Sequence, residues 1–200
     1  MDCYIIHYSK NTDRRKYMEE FILPKLSEKH IRNFYWITEF DREDPFIRAI
    51  PTTHTTSGNL SCNKKHYEAW RLFRISGAEY CLVLEDDVIF EKGIEFTKEF
   101  SSILKLLTSS DIVISIGSGI QRHGKKKGIT KEQYGRCTDS YILHKKFLDI
   151  CKDDECYTLN IGHYMNAILK KAKVLWTYYE PTVFCQGSQN GTYTTDIREF

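Results

Sequence analysis

Short unbroken apolar runs and longer stretches of helical spacing take turns along this chain. CYIIHY (3–8) reads as a buried strand. Asn11 and Thr12 then supply capping side chains, and Met18, Phe21, Ile22 and Leu26 recur at helical spacing, with Pro24 expected to bend or end the helix. NFYWIT (33–38) is a second strand, and a helix over 63–76 carries Ala69, Trp70 and Phe73 on one face. YCLVL (80–84) is a third strand whose exit bears Glu85, Asp86 and Asp87. Phe96, Phe100, Ile103, Leu104 and Leu107 form a helical stripe before the strand DIVISI (111–116). The segment 117–135, with glycines at 117, 119, 124 and 128 and lysines at 125–127, has no usable period and reads as a mobile loop. CTDSYIL (137–143) returns to strand pattern, and Ile161, Tyr164, Met165, Ile168 and Leu169 make an amphipathic helix. KVLWTYYEPTVF (173–184) is extended on both sides of Pro181.

Strands alternating with helices predict an α/β fold with a mainly parallel central sheet, in which ligands bind outside the carboxyl ends of the strands. That rule points to Glu85–Asp87. With 200 residues, 41% of them hydrophobic, one core suffices, and the four dispersed prolines mark no linker, so residues 1–200 are read as a single domain. Twenty-nine basic and 27 acidic side chains leave a net charge of +2, which argues against a dedicated nucleic-acid binder. The lysines at 125–127 and the tyrosines are also not interleaved in one segment. No apolar run reaches the 18 or so residues of a membrane span, CLVLEDDVIF being broken at residue 85. The start, MDCYIIHYSKNTDRR, fits no secretory signal, so a cytoplasmic setting is expected. Seven scattered cysteines without a CxxC pair suggest free thiols rather than disulfides or a zinc site.

Three carboxylates in a row after CLVL repel one another, a cost that makes sense if a divalent cation neutralises them; the plain alternative is a polar turn ending a strand. Hard oxygen ligands favour Mn2+ or Mg2+ over zinc. Arg14 and Arg15 lie just past the first strand's exit, where one can meet a diphosphate while the other is solvated on the helix. Asp41 can accept from a ribose or a base, or can pair with Arg42 or Arg48. Trp176, Tyr178 and Tyr179 offer faces for a sugar ring, although strand alternation buries at least one of them.

In order along the chain, DRR (13–15), GNLSCNKKHYEAW (58–70), LVLEDDVIF (82–90), DIVISIG (111–117), a Ser-Tyr-Ile segment (140–142) and EPTVFCQGSQNGT (180–192) resemble glycosyltransferase family 25. The resemblance implies a GT-A (Rossmann-like) fold, a UDP-sugar donor, a manganese-type ion, inversion at the anomeric carbon, and a glycan or glycoprotein acceptor. It makes Asp87 the direct metal ligand, with Glu85 or Asp86 holding the ribose, the donor sugar or a metal-bound water. Glu85 is thus a candidate for both metal and donor. His66 matches the histidine of the family block, its alternative being a helix histidine bonded to a neighbouring carbonyl. Gln186, Gly187 and Ser188 match the closing motif, where a backbone turn can donate to phosphate oxygens.

The sequence departs from the family pattern at Lys65, where serine is usual, at Ser61, where glycine is common, and at Gly162, where an aspartate often heads the late helix. An inverting transfer needs a base for the acceptor hydroxyl. On a helical wheel His163 points away from the apolar stripe, so it is a candidate base or metal ligand, or simply a solvent-exposed side chain; Asp139 is the carboxylate alternative. The missing aspartate also leaves open a GT-A-like module that binds nucleotide sugar or glycan without turnover.

Overall fold

Two apolar strands with no polar interruption, Asp2–Ile6 (β1) and Tyr80–Glu85 (β3), pair in parallel at the middle of the molecule, as seen in a computed structural model of the chain. The structure describes residues 1–27, 30–51, 55–117, 127–135, 137–151 and 156–194. β1 also pairs in parallel with Phe34–Ile37 (β2). The sheet continues through Val113–Ser115 (β5), Gly128–Glu132 (β6), Ser140–His144 (β7) and Trp176–Glu180 (β8), in the seven-stranded order β2-β1-β3-β7-β5-β8-β6. β2, β1, β3, β5 and β8 run one way; β7 and β6 run against them. The expected α/β fold with a mainly parallel sheet is therefore present, with one consequential difference. β7 lies antiparallel between β3 and β5, so its first residues meet the end of β3, and Glu85 N–H donates to Asp139 O at 2.7 Å.

Both faces of the sheet are covered, which is why its central strands are apolar at every position rather than at alternate ones. On one face Tyr4, Val83 and Tyr141 pack with Trp70, Phe73, Phe147 and Met165. These come from the long helix Ser57–Ser76 (α4), from Lys146–Cys151 (α6) and from Ile161–Lys171 (α7). On the other face Ile5, Leu82, Leu84 and Ile142 meet Met18, Ile22, Leu26, Phe100 and Ile103. That layer combines Phe96–Leu106 (α5) with a helical run made of Thr12–Tyr17 (α1), Met18–Ile22 in π register and Leu23–Ser27 (α2). The run passes through Pro24 instead of ending there. Leu23 N–H bonds Met18 O, five residues back, and this wider turn accommodates a ring that has no N–H to donate.

α4 begins six residues before the expected position, because the Thr56 side chain caps it by accepting from Asn59 N–H, and Gly77 ends it in the left-handed conformation. A further short helix, Pro45–Ala49 (α3), is capped by Asp44. The loop expected over 117–135 needs correction at its end, where Gly128–Glu132 is an edge strand paired with β8; residues 118–126, with two of the glycines and two of the three lysines, lie outside the described residues. Trp176, Tyr178 and Tyr179 are all buried, so none presents a face to a sugar. The seven cysteines are free thiols. Among the described residues no helix is long and apolar enough to cross a membrane.

A second, two-stranded sheet pairs Val88–Phe90 (β4) with Phe184–Gln186 (β9). It hangs from the main sheet where Val183 N–H bonds Ile116 O at 2.9 Å and Gly117 bridges Phe184. Gly117 has no space for a side chain, since a Cβ there would overlap the Asp139 carboxylate and the Ser140 hydroxyl. Gly117→Ala should therefore destabilise the protein by about 1–3 kcal/mol, the usual cost of overpacking. A melting temperature equal to that of the parent protein would show that this junction is not tight.

Candidate active site

The strands β1 and β3 end at one edge of the sheet, and there the chain opens a cleft of about 580 Å3, solvent at its mouth included. Its walls come from five places: the end of β1 and the start of α1 (Ile6, Tyr8, Arg14), the segment after β2 (Arg42), the first turns of α4, the exit of β3 (Glu85–Asp87), and the end of β9 with the turn after it (Gln186, Ser188). α4 presents Gly58, Ser61, Cys62 and Lys65, which is the i, i+3, i+4, i+7 spacing of one helical face.

The three adjacent carboxylates have different environments. Asp86 is buried and fully engaged: Oδ2 accepts from the His7 ring at 2.7 Å and from Tyr8 N–H at 3.1 Å, and Oδ1 accepts from Arg14 Nη1 at 2.9 Å. With both oxygens taken, Asp86 serves as the post that fixes Arg14. The Arg14 guanidinium also donates to Thr194 O and lies over the Tyr193 ring at 5.3 Å. Arg15 is the solvated partner, paired with Glu19 and lying over Trp36 at 4.6 Å.

Glu85 is half-buried. Thr138 Oγ1 donates to its Oε1 at 2.9 Å, Gln186 Nε2 reaches its Oε2 at 3.5 Å, and His66 Nε2 stands 3.4 Å from Oε1. Asp87 is buried, and among the described residues its Oδ1 has no hydrogen-bond partner. Burial, and after it the charge of Glu85, push the Asp87 carboxyl up to about 7, with the Ser188 hydroxyl opposing the shift. The antiparallel entry of β7 adds a fourth carboxylate. Asp139 is buried and accepts from Ser140 Oγ at 3.1 Å, and its Oδ1 has no partner among the described residues; burial, then Glu85 and Asp87, raise its carboxyl well above the ordinary range.

The β4–β9 pair puts the closing residues against this cluster. Gly187 N–H donates to Asp87 O at 2.7 Å, and a side chain at 187 would overlap the Tyr193 ring. Asp41 has partners other than those expected. It takes the Lys65 ammonium and accepts from Ser9, while Arg42 turns to Glu43 and lies over Tyr8 at 4.8 Å. Lys65, buried, also donates to His7 O. Among the described residues the His66 ring bonds no carbonyl; its Nδ1 is 2.7 Å from Tyr141 Oη.

The structure thus brings Arg14, Glu85, Asp86, Asp87, Gln186 and Ser188 to one cleft, with Gly187 and Asp139 bonded to the same strand exit. Asp41 and His66 lie behind the lining, each touching one of its residues. His163 does not line the cleft: it is exposed in the first turn of α7, where its N–H donates to Asn160 Oδ1. Lining residues that the sequence did not single out as site residues are Ile6, Tyr8, Arg42, Gly58, Ser61, Cys62 and Lys65. The helical spacing of the last four would have grouped them had α4 been started at Ser57.

Buried, mutually repelling hard oxygens, one of them partnerless on Asp87, fit a divalent cation of the manganese or magnesium kind. Residues 1–153 match the family model described as Glycosyltransferase family 25 (LPS biosynthesis protein). No curated protein matches the chain. Among solved structures, a glycosyltransferase involved in the glycosylation of the major capsid of PBCV-1 is similar at 17% identity and a TM-score of 0.42, over 75% of this chain and 63% of that one.

A carboxyl raised from 3.8 to about 7 binds more protons in the folded than in the unfolded state, so the metal-free protein should lose stability as pH rises from about 4 to 7. Asp87→Asn should flatten that slope and raise the melting temperature at pH 8 in chelator, each kcal/mol being worth about 2–4 °C in a chain of this size. A variant that melts at or below the parent temperature at pH 8 would contradict the crowding of charge at this strand end.

Proposed function

Because the chain belongs to glycosyltransferase family 25, we propose that it transfers a hexose, galactose or glucose, from a UDP-sugar to a hydroxyl of a glycan or glycoprotein acceptor, glycans of the lipopolysaccharide type included. In this reading the α/β fold is of the GT-A type, the transfer inverts the anomeric carbon, and Mn2+ or Mg2+ assists. The observation that carries the proposal is the buried, partnerless Asp87 oxygen crowded by Glu85 at the carboxyl ends of β1 and β3. Asp87 and Glu85 would hold the cation, which supplies charge stabilisation for a diphosphate leaving group.

The remaining work falls to the protein's own groups. Arg14, fixed by Asp86, is preorganised to meet the donor's diphosphate without losing side-chain freedom on binding. The turn at Gln186–Ser188 borders the same space and offers a hydroxyl and an amide. As the acceptor oxygen bonds to the anomeric carbon, the bond to the β-phosphate oxygen breaks and the hydroxyl proton passes to a base. That role is assigned to Asp139, which stands outside the cleft lining as His163 does but is bonded through its backbone to the β3 exit and feels the charges of Glu85 and Asp87. A nucleotide-sugar-binding module without turnover is the second reading, favoured by Gly162 at the head of α7.

UDP with Mn2+ should raise the melting temperature of the parent protein by a few degrees, as mass action requires well above the dissociation constant, and Asp87→Ala should abolish the rise. An undiminished rise in that variant would remove Asp87 from the metal site. Asp139→Asn should lower the transfer rate by about 10²- to 10⁴-fold with UDP-sugar binding nearly unchanged, and His163→Ala should leave the rate close to the parent's. The reverse pattern would exchange the two roles, and donor binding with no turnover in the parent protein would establish the silent module.

A further inference from the structure

One buried nitrogen has no use in the transfer reaction. His66 is fully buried on α4, and among the described residues its Nε2 has no hydrogen-bond partner. It faces Glu85 Oε1 at 3.4 Å, and Cys62 lies one turn earlier on the same helical face. The Cys62 sulfur, a His66 ring nitrogen and a Glu85 carboxylate oxygen all lie within 4.8 Å of one another. Ligand atoms around tetrahedral zinc, bonded at ~2.0–2.3 Å, stand roughly 3.3–3.8 Å apart, so a contraction of about 1 Å through side-chain rotation would complete the set.

We propose that Cys62, His66 and Glu85 form a site for a thiophilic divalent cation of the zinc type, which shares Glu85 with the hard-cation place but not Asp87. A thiolate and an imidazole select zinc or cobalt over manganese and magnesium, which prefer carboxylate oxygen. The surroundings of His66 suit a ligating ring. Its Nδ1 lies 2.7 Å from Tyr141 Oη, an oxygen that also accepts from Trp70 Nε1 at 3.1 Å. When Nδ1–H donates to the second lone pair of that oxygen, Nε2 is left unprotonated and aimed at Glu85, the outer-shell support that fixes the tautomer and orientation of a ligating histidine. Cys62 lines the cleft, which gives the ion its entry path and leaves a fourth position open to solvent. As the sulfur–metal bond forms, the thiol proton leaves to solvent, and thiolate plus carboxylate balance the double positive charge.

Cobalt is the probe, because a thiolate bound to Co2+ gives a near-ultraviolet charge-transfer band and a tetrahedral ion gives visible bands. The parent protein titrated with Co2+ should develop both at one equivalent, and added Zn2+ should erase them. Cys62→Ser should lose the charge-transfer band, while Cys137→Ser should keep it. His66→Gln should weaken Co2+ binding at least tenfold, and Tyr141→Phe about tenfold with the band retained, as expected for an outer-shell partner. Asp87→Asn should keep the band even where it loses stabilisation by UDP and Mn2+, so the two metal assignments stand or fall separately. Circular dichroism of each variant identifies any that fails to fold, and the parent spectrum decides the matter on its own: no charge-transfer band, or a band that survives in folded Cys62→Ser, overturns the site.

Discussion

Like charge held out of water at the end of an apolar sheet is the constraint around which the rest of this molecule is arranged. β3 is too deeply buried to release its exit residues to solvent, so Glu85, Asp86 and Asp87 begin their turn inside the protein, and β7 delivers Asp139 beside them. Each carboxylate has its own solution. Asp86 is neutralised and fixed by Arg14 and His7; Glu85 is braced by Thr138 and Gln186; Asp87 and Asp139 are left with raised proton affinity and, among the described residues, one unbonded oxygen each. A fold selected for stability alone would not keep the last two, since breaking or omitting a partner for a buried charge is among the larger penalties available to a protein.

Much of this was legible in the sequence. Runs such as CYIIHY and CLVL carry no polar interruption and read as strands covered on both faces, and that placed the acidic triplet at a strand's carboxyl end. Direction was not legible. CTDSYIL has the same composition whichever way it runs, and only its antiparallel register between β3 and β5 sets Asp139 against Glu85. The helix expected from residue 63 begins six residues earlier, because Gly58, Asn59 and Ser61 are weak helix formers that Thr56 nevertheless caps into a helix, and it has to begin there for Ser61, Cys62 and Lys65 to face the cleft. β6 was hidden because an edge strand half in solvent needs no apolar alternation.

Lys65 shows how one departure from the family pattern is absorbed. A buried ammonium in place of a small hydroxyl would be costly without partners, yet it spans Asp41 and the carbonyl of His7, joining the ends of β1 and β2 to α4. Asp41 becomes a structural counter-ion as a result, which is why sequence neighbours such as Arg42 and Arg48 were the wrong place to look for its partner. Charge pairing across the fold, rather than along the chain, also decided which of Arg14 and Arg15 turns inward. A metal set such as Cys62, His66 and Glu85 is equally invisible from spacing, because its third member arrives from a different strand.

The small sheet of β4 and β9 also governs when the cleft can exist during synthesis. One wall is translated by Asp87 and the opposing one only at Gln186–Ser188, so about half of the chain separates the two halves of the pocket. Contacts that distant in sequence are slow to form, since a long loop must close before any of them stabilises the structure. A nascent chain on the ribosome therefore holds its crowded carboxylates without the amide of Gly187 or the hydroxyl of Ser188 until residues 186–188 emerge, and the cleft is completed late and at once rather than growing with length.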